Sequence, residues 1–113
     1  MQDCIFCKIA RHEMPSEVVY ENDRVIVFKD INPVAPVHVL LVPKKHIRDL
    51  TAVGPEDKDL LGELNLVAVD VARKLGVYES GFRLVNNCGE DSGQVVPHIH
   101  YHLIGGRKLG RLG

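Results

Sequence analysis

The chain has 113 residues, 45% of them apolar and 26% charged, which suits one domain with a real core and excludes a disordered or collagen-like chain. The net charge of −1 becomes +5 only if all six histidines are protonated, so no standing basic field draws nucleic acid by counterion release. With no Trp, three Phe and three Tyr, a stacking platform for single strands is also lacking.

Apolar runs such as Val39-Leu40-Leu41-Val42 fall far short of the roughly 18 residues of a membrane span. Met1-Gln2-Asp3-Cys4 carries neither the basic nor the apolar region of a secretory signal. The expectation is a cytoplasmic protein, one domain over 1–113 with about 107–113 as a C-terminal tail, and neither a nucleic-acid polymer nor a membrane as partner.

From Asp3 to about His12, Ile5, Phe6 and Ile9 recur at near-helical spacing, with Asp3 as the candidate N-cap and Pro15 as the stop. Glu17–Tyr20 and Arg24–Phe28 read as two strands of a hairpin turned at Glu21-Asn22-Asp23. Asp30 to Pro36 is a loop, and Val37 to Pro43 a third strand. A long helix is predicted from about Pro55 to Leu75, with proline at its first position, acidic residues in its first turn, Arg73 and Lys74 in its last, and Gly76 after it. Leu60, Leu64, Val67, Val71 and Leu75 form one apolar stripe that Leu61, Ala68 and Ala72 widen. Leu66 and Val69 fall outside it and call for a second neighbour, either another part of the fold or a second copy of the chain. Phe82–Asn86 and about Pro97–Ile104 are the last two strands, joined by a polar loop from Asn87 to Gly93. This order of elements predicts an α+β fold with an antiparallel sheet.

His98-Ile99-His100-Tyr101-His102-Leu103-Ile104 is the chemical centre. On a strand, His98, His100 and His102 share one face about 7 Å apart, and Ile99, Tyr101 and Leu103 pack on the core. Three imidazoles make a poor core, because each ring needs a hydrogen-bond partner. Two readings remain: a metal hydrolase with His38 as a further ligand, or covalent and acid–base chemistry by the imidazoles themselves. The preceding loop, Asn87 to Val95, is rich in groups that present N–H donors to an oxyanion. It favours attack by a neutral histidine nitrogen on phosphorus.

The stretch from His98 to Ile104 resembles the signature of the histidine-triad (HIT) family. Similarity to its Hint branch extends to Ile5-Phe6-Cys7-Lys8-Ile9, Asp30-Ile31-Asn32-Pro33, Ala35-Pro36-Val37-His38, Pro43-Lys44-Lys45-His46-Ile47, Gly93-Gln94 and Gly105-Gly106-Arg107. The resemblance implies a purine nucleoside 5′-phosphoramidate hydrolase with a five-stranded antiparallel sheet, a short N-terminal helix and one long helix through which a homodimer forms. It implies that His100 is the nucleophile of a nucleotidyl-histidine intermediate, that His102 lies beside the phosphate, and that His38 orients His100 through hydrogen bonds. It further implies that Asn87, Gly93, Gln94 and the backbone of Val95 hold the phosphate, that Asp30 binds the ribose, and that Ile5, Phe6, Ile9, Phe28 and Ile31 enclose the purine. Val95 stands where some relatives carry a serine, and the tail lacks the aromatic residue that others have. A dinucleoside polyphosphate hydrolase and a zinc-bearing nucleotide-binding regulator are the alternatives. Gly105-Gly106-Arg107 weighs against the first of these.

Cys4-x-x-Cys7 supplies half of a tetrahedral zinc site. His46 and His98 are the candidate remaining ligands, with His12 a weaker one. The resemblance implies the same structural zinc and no catalytic metal. Cys88 reads as a small buried hydrophobe.

Overall fold

The computed structural model describes residues 4–112. Five strands, β1 (Val18–Glu21), β2 (Val25–Lys29), β3 (Val37–Pro43), β4 (Phe82–Asn86) and β5 (Tyr101–Gly105), form one sheet in the order β1-β2-β3-β5-β4, with every neighbouring pair antiparallel. A short helix, α1 (Ile5–Ala10), precedes the sheet, and a long one, α2 (Lys58–Lys74), lies between β3 and β4. The expected α+β architecture is present in all its elements.

The sheet is covered on both faces, which is why β2 reads as the unbroken apolar run Val25 to Phe28. Val25, Val27, Val39, Leu41 and Leu103 face α2 and pack with its Leu60, Leu64, Val67, Ala68, Val71 and Ala72. Burial of each larger apolar side chain there contributes roughly 1.5–3 kcal/mol. Ile26, Phe28, Leu40 and Val42 face the other way and pack with Phe6, Cys7, Ile9 and Ala10 of α1. The functional residues lie on this second face.

Strands β1 and β2 each sit one residue later than expected, and three other boundaries move for a visible physical reason. Residues Pro55–Asp57 form a single 3-10 turn before α2, because the buried Asp57 turns its carboxylate back onto the Gly54 N–H (3.0 Å) and the Lys45 ammonium (2.6 Å). Asp3 lies outside the described residues. The cap of α1 is Cys4, whose sulfur accepts the Cys7 N–H at 3.4 Å. The last strand begins at Tyr101 rather than Pro97, so His98, Ile99 and His100 precede it. Leu66 of α2 is 70% exposed, so nothing among the described residues covers it. Beyond β5, Gly106 has φ +94°, and a Cβ there would stand 2.9 Å from Cβ of Pro36. The following tail is held to the body by hydrogen bonds from Arg107 to the Val34 carbonyl and from Arg83 to the Gly110 carbonyl, each 2.9 Å.

Candidate active site

The segment before β5 stays out of the ladder because side chains take its carbonyls. The His100 Nδ1–H donates to the carbonyl of His98 at 2.7 Å, and Nδ2 of Asn86 donates to the carbonyl of His100 at 3.0 Å. Ile99 bonds to the carbonyl of Ile47 at 2.7 Å and is buried on the α2 side. The alternation expected of a strand therefore persists without strand hydrogen bonding.

These partners fix the protonation of each imidazole, since a carbonyl only accepts and an N–H only donates. His100 spends Nδ1–H on the His98 carbonyl, which leaves the Nε2 lone pair bare. His38 accepts the Val34 N–H at Nδ1 (3.2 Å), so its Nε2–H donates to Nδ1 of His102 (2.9 Å). His102 must then carry its proton on Nε2. His98 gives Nε2–H to the carbonyl of Pro43 (2.8 Å), leaving Nδ1 as a lone pair.

Burial holds His100 below the ordinary histidine pKa, against the opposing influence of the His98 carbonyl and Asp30. His102 is lowered to about 4, first by burial and then by the neighbouring charges of His100 and His38. Burial likewise lowers His98 to about 4. All three rings are neutral at pH 7, as a nucleophile and a metal ligand both require.

His38 meets His102, not His100. β3 and β5 pair His38 opposite Ile104, so His102 is its diagonal neighbour on the same face. The expected path from His38 to the nucleophile thus runs through His102, whose ring centroid lies 5.2 Å from that of His100. Asp30 stands behind this pair, with one carboxylate oxygen 3.4 Å from Nε2 of His38 and the other accepting the Asn32 N–H.

A cavity of about 860 Å³ opens over the rings of His100 and His102. Its wall contains every residue expected to bind nucleotide: Ile5, Phe6, Ile9, Phe28 and Ile31 on the apolar side, and Asp30, Asn87, Gly93, Gln94 and Val95 on the polar side. Leu40, Val96 and the stretch Met14 to Glu17 also line it and escaped the sequence reading. The pairing of Leu40 opposite His102 would have revealed the first, but register is not written in spacing. Ile31 and Val95 are 91% and 88% exposed at this cavity, apolar surface without a partner among the described residues.

The polar loop divides into holders and donors. Oε1 of Gln94 accepts the Gly89 N–H (2.8 Å), and its Nε2 donates to the carbonyls of Arg48 and Val96 (both 3.0 Å). The Gly93 N–H is spent on the Glu90 carbonyl, at a φ of +87° that suits only glycine. Gln94 and Gly93 therefore shape the loop. Among the described residues, the Asn87 side chain and the Val95 N–H have no hydrogen-bond partner and belong to residues that line the cavity, so they are donors open to it.

On the other side of Phe6, Sγ of Cys4 and Cys7 and one ring nitrogen each from His46 and His98 lie within 4.8 Å of one another. Sγ of Cys4 is 3.3 Å from Nδ1 of His98, and Sγ of Cys7 is 3.2 Å from Nδ1 of His46. Two thiols and two imidazoles with His98 Nδ1 deprotonated match the donor set of a tetrahedral zinc site, and the Pro43 carbonyl supplies the outer partner that such a histidine takes. Burial and the adjacent Cys4 push the Cys7 thiol above its ordinary pKa, an effect that a bound cation reverses. A second cavity, about 590 Å³, reaches Cys4 and His46 and offers a path for an ion. His12 lies elsewhere, paired with Glu21 at 2.9 Å. Cys88 is half-buried in the polar loop rather than in the core. Asp30, His38 and His102 also cluster, but His38 Nε2 carries a proton and is a donor there, not a ligand.

Residues 11–109 match the model of the HIT domain. The chain belongs to the HIT family. It is 54% identical over 106 residues to an HIT-like protein of Synechocystis, spanning 94% of this chain and 92% of that one. It is 44% identical over 109 residues to the purine nucleoside phosphoramidase of Escherichia coli K12, spanning 96% and 92%. A histidine triad protein from Clostridium difficile superimposes with a TM-score of 0.96 at 48% identity, over 100% of this chain and 98% of that one. Among the described residues of this HIT protein, no helix is long and apolar enough to cross a membrane.

Proposed function

We propose that this HIT protein hydrolyses purine nucleoside 5′-phosphoramidates through a covalent nucleotide on His100. The observation that carries the reading is the His100 Nδ1–H bond to the His98 carbonyl, which leaves Nε2 as a neutral lone pair against the nucleotide-sized cavity. The similarity to a purine nucleoside phosphoramidase over most of both chains supports the substrate class.

In the first step Nε2 of His100 attacks the α-phosphorus in line, and the phosphorus–nitrogen bond breaks. The departing nitrogen keeps the electron pair and takes the Nε2 proton of His102, the ring that His38 holds from its other side. In the second step water attacks the phosphohistidine. The water gives its proton to the Nε2 of His102 that the first step left bare, the phosphorus–His100 bond breaks with its electron pair returning to Nε2, and the nucleoside monophosphate departs. Dividing the displacement lowers each barrier. The Asn87 amide and the Val95 N–H supply fixed donors to the phosphate oxygens, worth a few kcal/mol in such a setting (roughly 3 per donor at best). Asp30 accepts from the ribose hydroxyls, and Ile5, Phe6, Ile9, Phe28 and Ile31 sandwich the base.

Cys4, Cys7, His46 and His98 would hold zinc as a structural ion, tying α1 to the segment before β5. Free thiols at these positions suit a reducing compartment, the cytoplasm. We read the chain as one domain that dimerises through α2, whose Leu66 is exposed, and through β4, which among the described residues pairs with β5 alone.

Mass spectrometry of a reaction quenched during turnover of adenosine 5′-phosphoramidate tests the mechanism. A nucleotide adduct mapping to His100 is expected, and an adduct on another residue overturns the assignment. Competing the phosphoramidate against diadenosine triphosphate tests the substrate class, with preference for the phosphoramidate expected.

A further inference from the structure

The two sites described above are joined by one side chain. Phe6 lies between the two cysteines in the sequence, on a helix of six residues whose N-cap is the Cys4 sulfur itself. Its ring meets His98 of the cysteine–histidine cluster edge-on, centroids 5.9 Å apart and planes at 71°. It meets His100 in the same manner at 5.0 Å and 85°, and it packs on Phe28 at 5.6 Å. It also forms part of the wall of the large cavity. One buried ring therefore touches a candidate metal ligand, the nucleophile and the base-binding surface at once.

We propose that Phe6 is a positioning residue through which metal on the cysteine–histidine centre tightens nucleotide binding in the neighbouring cavity. The inference rests on the function proposed above. Helix α1 is too short to hold its own shape in water. Metal bonds to Cys4 and Cys7 would fix the backbone on both sides of Phe6, and a bond to His98 would fix the ring against which Phe6 leans. Without them α1 depends on its packing against β2 and β3 and on one sulfur cap. Phe6 then samples more positions, and nucleotide must pay the entropy of ordering it. Any such coupling is reciprocal: nucleotide tightens the metal by the factor by which metal tightens nucleotide.

The test uses zinc and adenosine 5′-monophosphate on the full chain. Calorimetry of the zinc-loaded and chelator-stripped protein is expected to give nucleotide affinity about 5-fold or more higher with zinc, the lower end of ordinary coupling between sites. Chelator competition is expected to show zinc tightened by the same factor when the nucleotide is saturating. In Phe6→Ala the nucleotide affinities with and without zinc converge, while zinc affinity without nucleotide stays within about 2-fold of the parent, a small change on the coupling scale. Ile9→Ala, which trims the same cavity wall from the same helix, weakens the nucleotide in both forms and keeps their ratio. A parent ratio near one overturns the coupling and leaves the proposed function standing, since nucleotide still binds. Absence of nucleotide binding in both forms overturns the proposed function and this inference together, and failure to bind zinc overturns the inference. A ratio preserved in Phe6→Ala removes Phe6 as the link. Loss of the far-ultraviolet circular dichroism of the parent on stripping overturns it as well, because the ion then acts on the whole fold.

Discussion

The Nε2–H of His38 donates to Nδ1 of His102 at 2.9 Å, across two strands and at the diagonal of an antiparallel register. Because the Val34 N–H occupies the other nitrogen of His38, the direction of this bond is not free to reverse without breaking a second one. It presents a proton on the cavity-lining ring of His102, beside a nucleophile that must itself be unprotonated. The same loop that supplies Val34 is anchored by Arg107 through the Val34 carbonyl, so the tail after β5 helps hold the tautomer of a histidine on β3.

This arrangement separates the two histidines kinetically. His100→Ala removes the atom that bonds to phosphorus, and kcat is expected to fall by roughly 10⁴-fold or more, while adenosine 5′-monophosphate still binds. His38→Ala leaves the nucleophile and loosens only the donor at the leaving group. Its kcat is expected to fall by about 10²-fold, the scale of one proton-transferring group, with KM little changed. Steady-state kinetics of both variants, with calorimetric binding of the monophosphate, checks the contrast.

Acid should affect folding as well as chemistry. His102 binds its proton at about 4 in the folded protein against 6.5 ordinarily, chiefly through burial. The unfolded chain therefore takes up the proton first as pH falls, and the stability associated with neutral His102 is complete above about 6.5 and declines between 6.5 and about 4. Urea unfolding along a pH series is expected to give a free energy that drops across that window. The drop should be shallower in His102→Gln, which has no such group, and an identical pH profile in the variant would contradict the assignment.

The sheet, both helices and the gathering of the expected residues around one cavity were legible because they are written in local patterns. Short apolar runs bounded by turn residues marked β2 and β3, the proline, acidic and basic ends marked α2, and the triad spacing placed His100 and His102 together. Three things were not legible, for one physical reason: each depends on a partner distant in sequence. The carbonyls of His98 and His100 look available to a strand until the His100 ring and Asn86 are seen to take them. Which ring His38 meets first on the way to His100 is decided by register, not spacing. The Gln94 amide looks free to hold a phosphate until Gly89, Arg48 and Val96 are seen to fill it.

That last point gives a sharp substitution. Gln94→Glu keeps the shape of the side chain and the acceptor for the Gly89 N–H but replaces an NH₂ that serves two carbonyls with an oxygen that repels them. The loop must shift or the acid must bind a proton. Loss of even one such bond is worth about 1–1.5 kcal/mol. Affinity for adenosine 5′-monophosphate is therefore expected to fall about 10-fold, with faster amide exchange in residues 89–95 measured by hydrogen–deuterium exchange. Unchanged affinity would assign the loop geometry to its glycines alone.

The exposed side of α2 makes the last prediction. Leu66 is 70% exposed on a helix whose other large apolar residues are buried or half-buried, and β4 carries an unpaired edge. An open edge strand offers its N–H and C=O groups as a template for another strand, and an uncovered leucine offers apolar surface for a partner to bury. In the proposed dimer a second copy about a two-fold axis would cover Leu66, because a symmetric interface places the same residues opposite one another. Leu66→Asp then sets two carboxylates near each other in an apolar contact. Loss of an interface anchor costs about 2 kcal/mol, or roughly 30-fold in the dimer dissociation constant. Sedimentation equilibrium across a concentration series is expected to give a dimer for the parent and a shift toward monomer for the variant. The fold should survive in both, since Leu66 is absent from the packed face of α2. A parent that sediments as a monomer at all concentrations would leave α2 without a partner and refute the assembly.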